Sequence, residues 1–145
     1  LEAAFNVGSN IVREGKEGLP AGALLILGDT NNVLNFTRES IRNPLQGYSK
    51  EDLNIKNQEN WNTIKEFSML DGAFVMDENG YPVAAGRYVM FNSDLNGSVE
   101  EGFGGRHLAA ASITHDTNAI AIVVSSEGTI RIYKDGQRIY SIKSV

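Results

Sequence analysis

Two short segments gather the residue types that phosphate chemistry needs. The first is Leu70-Asp71-Gly72-Ala73, an acid followed by two of the smallest residues. A carboxylate there can hold a divalent cation or accept a proton, and Gly72 and Ala73 would let a flat ligand approach the backbone. Its commonplace meaning is an Asp-Gly turn ahead of a strand. The second is Gly104-Gly105-Arg106-His107-Leu108, which opens a helical pattern. Unpaired N–H groups at a helix start, the helix dipole and an adjacent Arg-His pair together make an anion site suited to phosphates. The ordinary alternative is a solvent-facing helix cap. His115, between Thr114 and Asp116, has no such company and is expected at the surface.

Better-known chemistries find no support. No G-x-x-x-x-G-K-[S/T] stretch occurs, and the Gly102-Phe103-Gly104-Gly105 run has His107 where a dinucleotide fingerprint needs its third glycine. No nucleophile-elbow sequence backs a Ser/His/Asp triad. The chain has no cysteine, which removes disulfides, thiolate zinc sites and cysteine nucleophiles and suits a reducing, cytoplasmic compartment. Two histidines are too few for a histidine metal cluster.

The elements that must carry these segments follow from hydrophobic periodicity. Leu1, Ala4, Phe5, Gly8, Ile11 and Val12 fall at helical spacing, with Gly15 and Gly18 as stops. The apolar run 23–27 predicts a strand buried on both faces, followed by a turn at Gly28-Asp29. A short strand is expected over 33–36, then loop and irregular helix over 37–60. A short helix follows from Trp61, with Asn60 as its cap. Strands are expected over 73–76 and 83–91, separated by a turn at Asp77-Glu78-Asn79-Gly80. A glycine-rich loop runs from Asn92 to Gly105, and Leu108 to Ala111 continues as helix. Strands over 119–124 and 129–133 precede a hairpin through Asp135-Gly136 into a last strand over 139–142.

At 145 residues the chain fits one domain, here taken as 1–145, and the interleaving predicts an α/β fold with a central mixed sheet flanked by helices. Its 41% apolar content supplies a core, and no apolar stretch is long enough to span a bilayer. A formal charge of −5 argues against a surface built to coat nucleic acid, whereas a small phosphorylated ligand needs only a few local cations. The opening inside a helical pattern, without methionine, suggests a piece of a longer protein.

In order along the chain, four segments resemble the diadenylate cyclase domain family. They are Asp71-Gly72-Ala73, then Ala84-Ala85-Gly86-Arg87-Tyr88, then Gly105-Arg106-His107-Leu108-Ala109-Ala110, and last Ala121-Ile122-Val123-Val124-Ser125. The resemblance implies condensation of two ATP molecules into cyclic di-AMP with release of two pyrophosphates, across a face-to-face homodimer or higher homo-oligomer. It implies Asp71, Arg106 and His107 as the catalytic residues. ATP would be bordered by Gly72, Ala73, Gly86, Tyr88, Val89, Gly104, Gly105, Arg106, His107 and Ser125. Asp71 and Glu127 would hold Mn²⁺ or Mg²⁺.

Three places depart from the family pattern. Leu108 stands where a third basic residue is common, Leu70 where histidine often precedes the aspartate, and Ser125-Ser126-Glu127 where Ser-Glu is usual. These departures are similar to the archaeal branch of the family. The competing expectation is a non-catalytic sensor of the same fold that binds ATP or cyclic di-AMP, and a further one is an interaction domain with no nucleotide.

Overall fold

The structure is a computed structural model that describes residues 1–49, 51–90 and 104–143. It opens with helix α1 (Glu2–Glu14) because Ala4, Val7, Gly8 and Ile11 put one apolar stripe against the sheet. Gly15 ends the helix with a positive φ of 60° and returns its N–H to the Ile11 carbonyl. Strand β1 (Ala23–Leu27) follows, buried along nearly its whole length as an uninterrupted apolar run requires.

The next expectation fails. Residues 33–36 do not form a strand; Thr30–Asn35 is a helix, α2, and the strand β2 comes after it at Thr37–Glu39. The helix is polar apart from a buried Val33, so its periodicity is faint. It is held by Asp29, which accepts from Asn32 Nδ2 at 2.9 Å and from the Asn118 N–H at 2.7 Å. A 3₁₀ turn at Gln58–Asn60 leads into α3 (Trp61–Ser68). Asn60 sits at the cap position without capping: its amide donates to the Asn54 carbonyl, and Asn57 instead caps the 3₁₀ turn.

Strand β3 (Ala73–Met76) and β4 (Pro82–Val89) pair antiparallel around the expected turn, where Asp77 Oδ1 accepts from the N–H groups of Asn79 and Tyr81. The expected end of β4 at Phe91 and most of the glycine-rich loop lie outside the described residues. Helix α4 (Gly105–Asp116) is followed by β5 (Ile120–Val124), β6 (Thr129–Lys134) and β7 (Gln137–Lys143). Asp135 and Gly136 make the two-residue hairpin turn, both with positive φ.

The seven strands form one mixed sheet in the order β2-β4-β3-β1-β5-β6-β7, parallel between β1 and β3 and antiparallel elsewhere. Alternation sends Leu25, Phe74, Ile122 and Ile130 to one face, where they meet Val7, Ile11 and Ile64 of α1 and α3. Leu24, Ile26, Val75 and Val123 point the other way, against Ala110, Ala111 and Ile113 of α4. Truncating Ile11, Ile64 or Phe74, each with no exposed surface, to alanine would cost about 2–5 kcal/mol. Across the first face, Lys65, nearly buried, reaches Glu14 at 2.5 Å and ties α3 to the end of α1. That ammonium holds the Glu14 carboxyl below its usual 4.5.

Candidate functional site

Sheet register decides where the two sequence segments meet. Ala23 lies opposite Val124 and Ala73 opposite Arg87, so the starts of β1 and β3 and the ends of β4 and β5 share one edge of the sheet. The N-terminus of α4 lies over that edge. The result is a cleft of about 570 Å³ lined by Asp71 and Gly72 just ahead of β3, Ala73 at its start, Tyr88 and Val89 from β4, and Gly105 and Arg106 from α4. Leu24, Arg38, Arg87, Met90 and Ala109 complete it. Residues 71 and 106, 35 positions apart in the chain, thus line one cleft.

Asp71 is exposed to the cleft, and its Oδ2 accepts a 2.5 Å hydrogen bond from the Tyr88 hydroxyl. Donating that bond to Asp71, together with the carboxylate's negative charge, pushes the Tyr88 phenol above its usual 10, with the Arg38 cation pulling weakly the other way. Tyr88 therefore stays a proton donor to Asp71 throughout the neutral range. The Arg38 guanidinium stands over the tyrosine ring, 5.2 Å from its centroid. Arg87 is committed to structure, donating to Thr37 Oγ1 at 3.0 Å and to the carbonyls of Leu34 and Thr37, which fastens the edge strand β2 onto β4.

Among the described residues that line it, three arginines against one aspartate give this cleft a positive balance in a chain of net charge −5. That contrast favours an anionic ligand, because field lines concentrate in a low-dielectric concavity. Arg106 lies across the start of β1. A side chain at Gly22 would put its Cβ 2.8 Å from Arg106 Nη1 and 3.0 Å from the Val124 carbonyl, so the absence of one is what lets the guanidinium settle there.

The glycines separate into two kinds. Gly72 has φ +93°, and a Cβ on it would lie 2.9 Å from the backbone of Gly86 and Arg87. Gly86 has φ +68° and would strike Ile41 at 2.9 Å; it does not line the cleft, so the fold accounts for it without a nucleotide. Gly104 and Gly105 differ. A Cβ on either meets no described atom within 4 Å, and neither has a positive φ, so packing against the described residues does not demand glycine there. Bare backbone at the start of a 12-residue helix leaves its first N–H groups approachable, as an anion site requires.

Beyond Arg106 the surface continues into a second cleft of about 310 Å³, lined by Gly104, Gly105, Arg106, His107, Ser125 and Glu127 among others. His107 is nearly buried, edge-on to Tyr133, and its Nε2 lies 3.1 Å from Arg131 Nη1. Ser125 Oγ accepts from the Glu127 N–H at 3.0 Å in the tight turn between β5 and β6. Asp71 and Glu127 line different clefts of the chain, and among the described residues no three acidic, histidine or cysteine side chains gather as a metal cluster. Leu108 is exposed and lines neither cleft, and His115 lies at the surface as expected.

Sequence reasoning missed Arg38 and Arg131 in these clefts. Arg38 sits on a three-residue edge strand within a polar stretch that carried no strand signal. Arg131 stands between two apolar residues of β6, and its alternation with Ile130 and Ile132 is the available sign that it faces α4.

Residues 12–138 match the family described as DisA bacterial checkpoint controller nucleotide-binding. The chain belongs to that family. A diadenylate cyclase of Methanocaldococcus jannaschii is 41% identical over 143 residues, covering 97% of this chain and 44% of that protein. A diadenylate cyclase of Haloferax volcanii is 39% identical over 143 residues, covering 98% of this chain and 52% of that protein. The chain therefore spans about half the length of the curated relatives it matches. Among solved structures, a hypothetical membrane-spanning protein from Bacillus cereus superposes with TM-score 0.71 at 16% identity, over 97% of this chain and 62% of that one. DacA from Staphylococcus aureus, as an N166C/T172C double mutant, gives TM-score 0.63 at 18% identity over 94% and 82%. Those two likenesses establish the fold of this family member. No helix among the described residues is long and apolar enough to cross a membrane.

Proposed function

We propose that this chain is the catalytic domain of a diadenylate cyclase, joining two ATP molecules into cyclic di-AMP and releasing two pyrophosphates. The observation that carries this reading is the single cleft that has Asp71 at one wall and Arg106 with the bare start of α4 at the other. Family membership and the two archaeal relatives support it.

In this reading the ribose lies near Asp71, whose carboxylate accepts the proton of the attacking 3′-hydroxyl, while Tyr88 holds that carboxylate in place. Arg106 and the first N–H groups of α4 hold the phosphates and stabilise the charge that builds on the departing pyrophosphate. Tyr88 and Val89 border the base or sugar, with Ala73 and Ala109 as small floor residues.

The donor set fits a divalent cation brought in with the substrate. Among the described residues Asp71 is the one acid lining its cleft, too little for a resident metal, yet Mg²⁺ is commonly held by one or two carboxylates together with substrate phosphates. Glu127, facing the second cleft beside Arg106, is assigned as the further acid towards that ion. Mn²⁺ or Mg²⁺ bound there would supply neutralisation of phosphate charge.

A cleft of about 570 Å³ suits one nucleotide. Two 3′-hydroxyls must attack two α-phosphates, so two chains face each other about a two-fold axis, each bringing one ATP. The test compares the parent protein with Asp71→Asn and Arg106→Ala under ATP and Mn²⁺ or Mg²⁺, with products separated by chromatography. Both variants should fold and lose roughly 10²-fold or more in rate. Parental rates in either would remove that residue from the chemistry, and ATP binding without turnover in the parent would favour the sensor alternative.

A further inference from the structure

The second cleft contains a cation that no motif marked. Arg131 lies in β6 opposite Val123 of β5, between Ile130 and Ile132, which turn to the α1 side of the sheet. Its own side chain turns to the α4 side and lines the cleft with Gly104, Gly105, Arg106 and Ser125. There Nη1 lies 3.1 Å from His107 Nε2, and the histidine ring is edge-on to Tyr133, two residues further along the same strand.

A guanidinium has donors and no acceptor, and it keeps its charge at any physiological pH. In this bond, therefore, Arg131 donates and His107 Nε2 offers its lone pair. The ring is then the neutral imidazole with its proton on Nδ1. Such a ring brings no positive charge, and its Nε2 has no proton to give to a phosphate. Among the described residues that line this cleft, the fixed positive charges are Arg106 and Arg131. The sequence places His107 beside Arg106 in an anion site; with Nε2 turned to Arg131, that nitrogen accepts rather than donates.

We propose that Arg131 is a positioning residue of the nucleotide site. It locks His107 as the Nδ1-protonated neutral ring under the start of α4, and sets a second guanidinium beside Arg106 at the end of the site that takes the pyrophosphate. The proposal rests on the cyclase reading. It goes beyond that reading by assigning a tautomer to His107 and a residue on β6 to the phosphate end.

The experiment uses the whole protein, with Arg131→Met and Arg131→Lys as variants. Long-range ¹⁵N–¹H NMR of the imidazoles reports the tautomer directly, with the exposed His115 as an internal reference. In the parent, His107 should show the Nδ1–H neutral form. Arg131→Met should release it to a mixture dominated by the Nε2–H form. The same variant should raise the KM for ATP roughly tenfold, the size of one hydrogen bond to a charged group, with a smaller change in kcat. Arg131→Lys keeps a charged donor and should fall between parent and Met. A merely structural role would move neither the tautomer nor the KM and kcat in this split.

A parental His107 in the Nε2–H form, or an Arg131→Met variant with unchanged tautomer and unchanged KM, would overturn the assignment. Should Arg131→Met fail to fold, the parental spectrum and the Lys variant decide the matter. A parent that makes no cyclic di-AMP would sink the cyclase reading and this role with it. A parent that makes it while Arg131→Met matches its KM would sink this role alone.

Discussion

Gly22→Ala tests how tightly the start of β1 controls the site, because it touches the machinery without altering any group that does chemistry. The new Cβ would sit 2.8 Å from Arg106 Nη1, 3.1 Å from its Cζ and 3.0 Å from the Val124 carbonyl. Restoring ordinary contact of about 3.5 Å moves the guanidinium by roughly 0.7 Å. A misplacement near 1 Å can cost about 10²-fold in a positioned reaction, so a loss of roughly 10- to 10²-fold in kcat/KM is expected. The fixed carbonyl adds overpacking on the order of 1 kcal/mol, visible as a modest fall in Tm. The assay is cyclic di-AMP formation by chromatography beside thermal unfolding, for Gly22→Ala, Arg106→Ala and the double variant. If the alanine acts through Arg106, it should cost little once Arg106 is gone. Activity within twofold of the parent, or full additivity in the double variant, would refute the argument.

Tyr88→Phe removes the donor to Asp71 and should lower turnover up to about tenfold, less than Asp71→Asn, with Tm nearly unchanged. Glu127→Gln should shift the Mg²⁺ or Mn²⁺ titration of activity to higher metal while sparing ATP affinity; superimposable titrations would take Glu127 out of the site. The Glu14–Lys65 pair gives a pH prediction. The Glu14 carboxyl is held below 4.5 in the folded chain, so its stabilisation is present above that value and lost as pH falls through the lower folded value. Urea unfolding of Lys65→Met should show a shallower loss of stability with acid in that window, whatever its total stability, and an unchanged slope would dismiss the pair.

The fold was legible where burial writes a period. The opening helix, the run 23–27, the strands 73–76 and 120–124 and the Asp135-Gly136 hairpin all announce themselves by apolar spacing or turn chemistry. It was not legible over 30–39, where α2 buries only Val33 and is held by Asp29 reaching both Asn32 and Asn118, a contact 89 positions away. The site divides similarly. Asp71 and Arg106 stood out by residue type, but only the register of β3 against β4, and of β1 against β5, brings them to one edge. Gly72 and Gly86 were marked as ligand contacts, and backbone crowding explains why both are glycine. Arg38 and Arg131 escaped because an isolated arginine in a strand has no motif, and its meaning lies in the face it occupies. The Arg131 bond to His107 is a contact between strand and helix that no spacing encodes.

The most direct test of the account is product formation from labelled ATP by the purified protein with Mn²⁺ or Mg²⁺, resolved by chromatography and counted against pyrophosphate. One cyclic di-AMP and two pyrophosphates are expected for every two ATP consumed, with specific activity rising as protein concentration rises. ATP returned intact, a linear or hydrolysed nucleotide as the end product, or a specific activity constant over dilution of a protein that stays monomeric would contradict it.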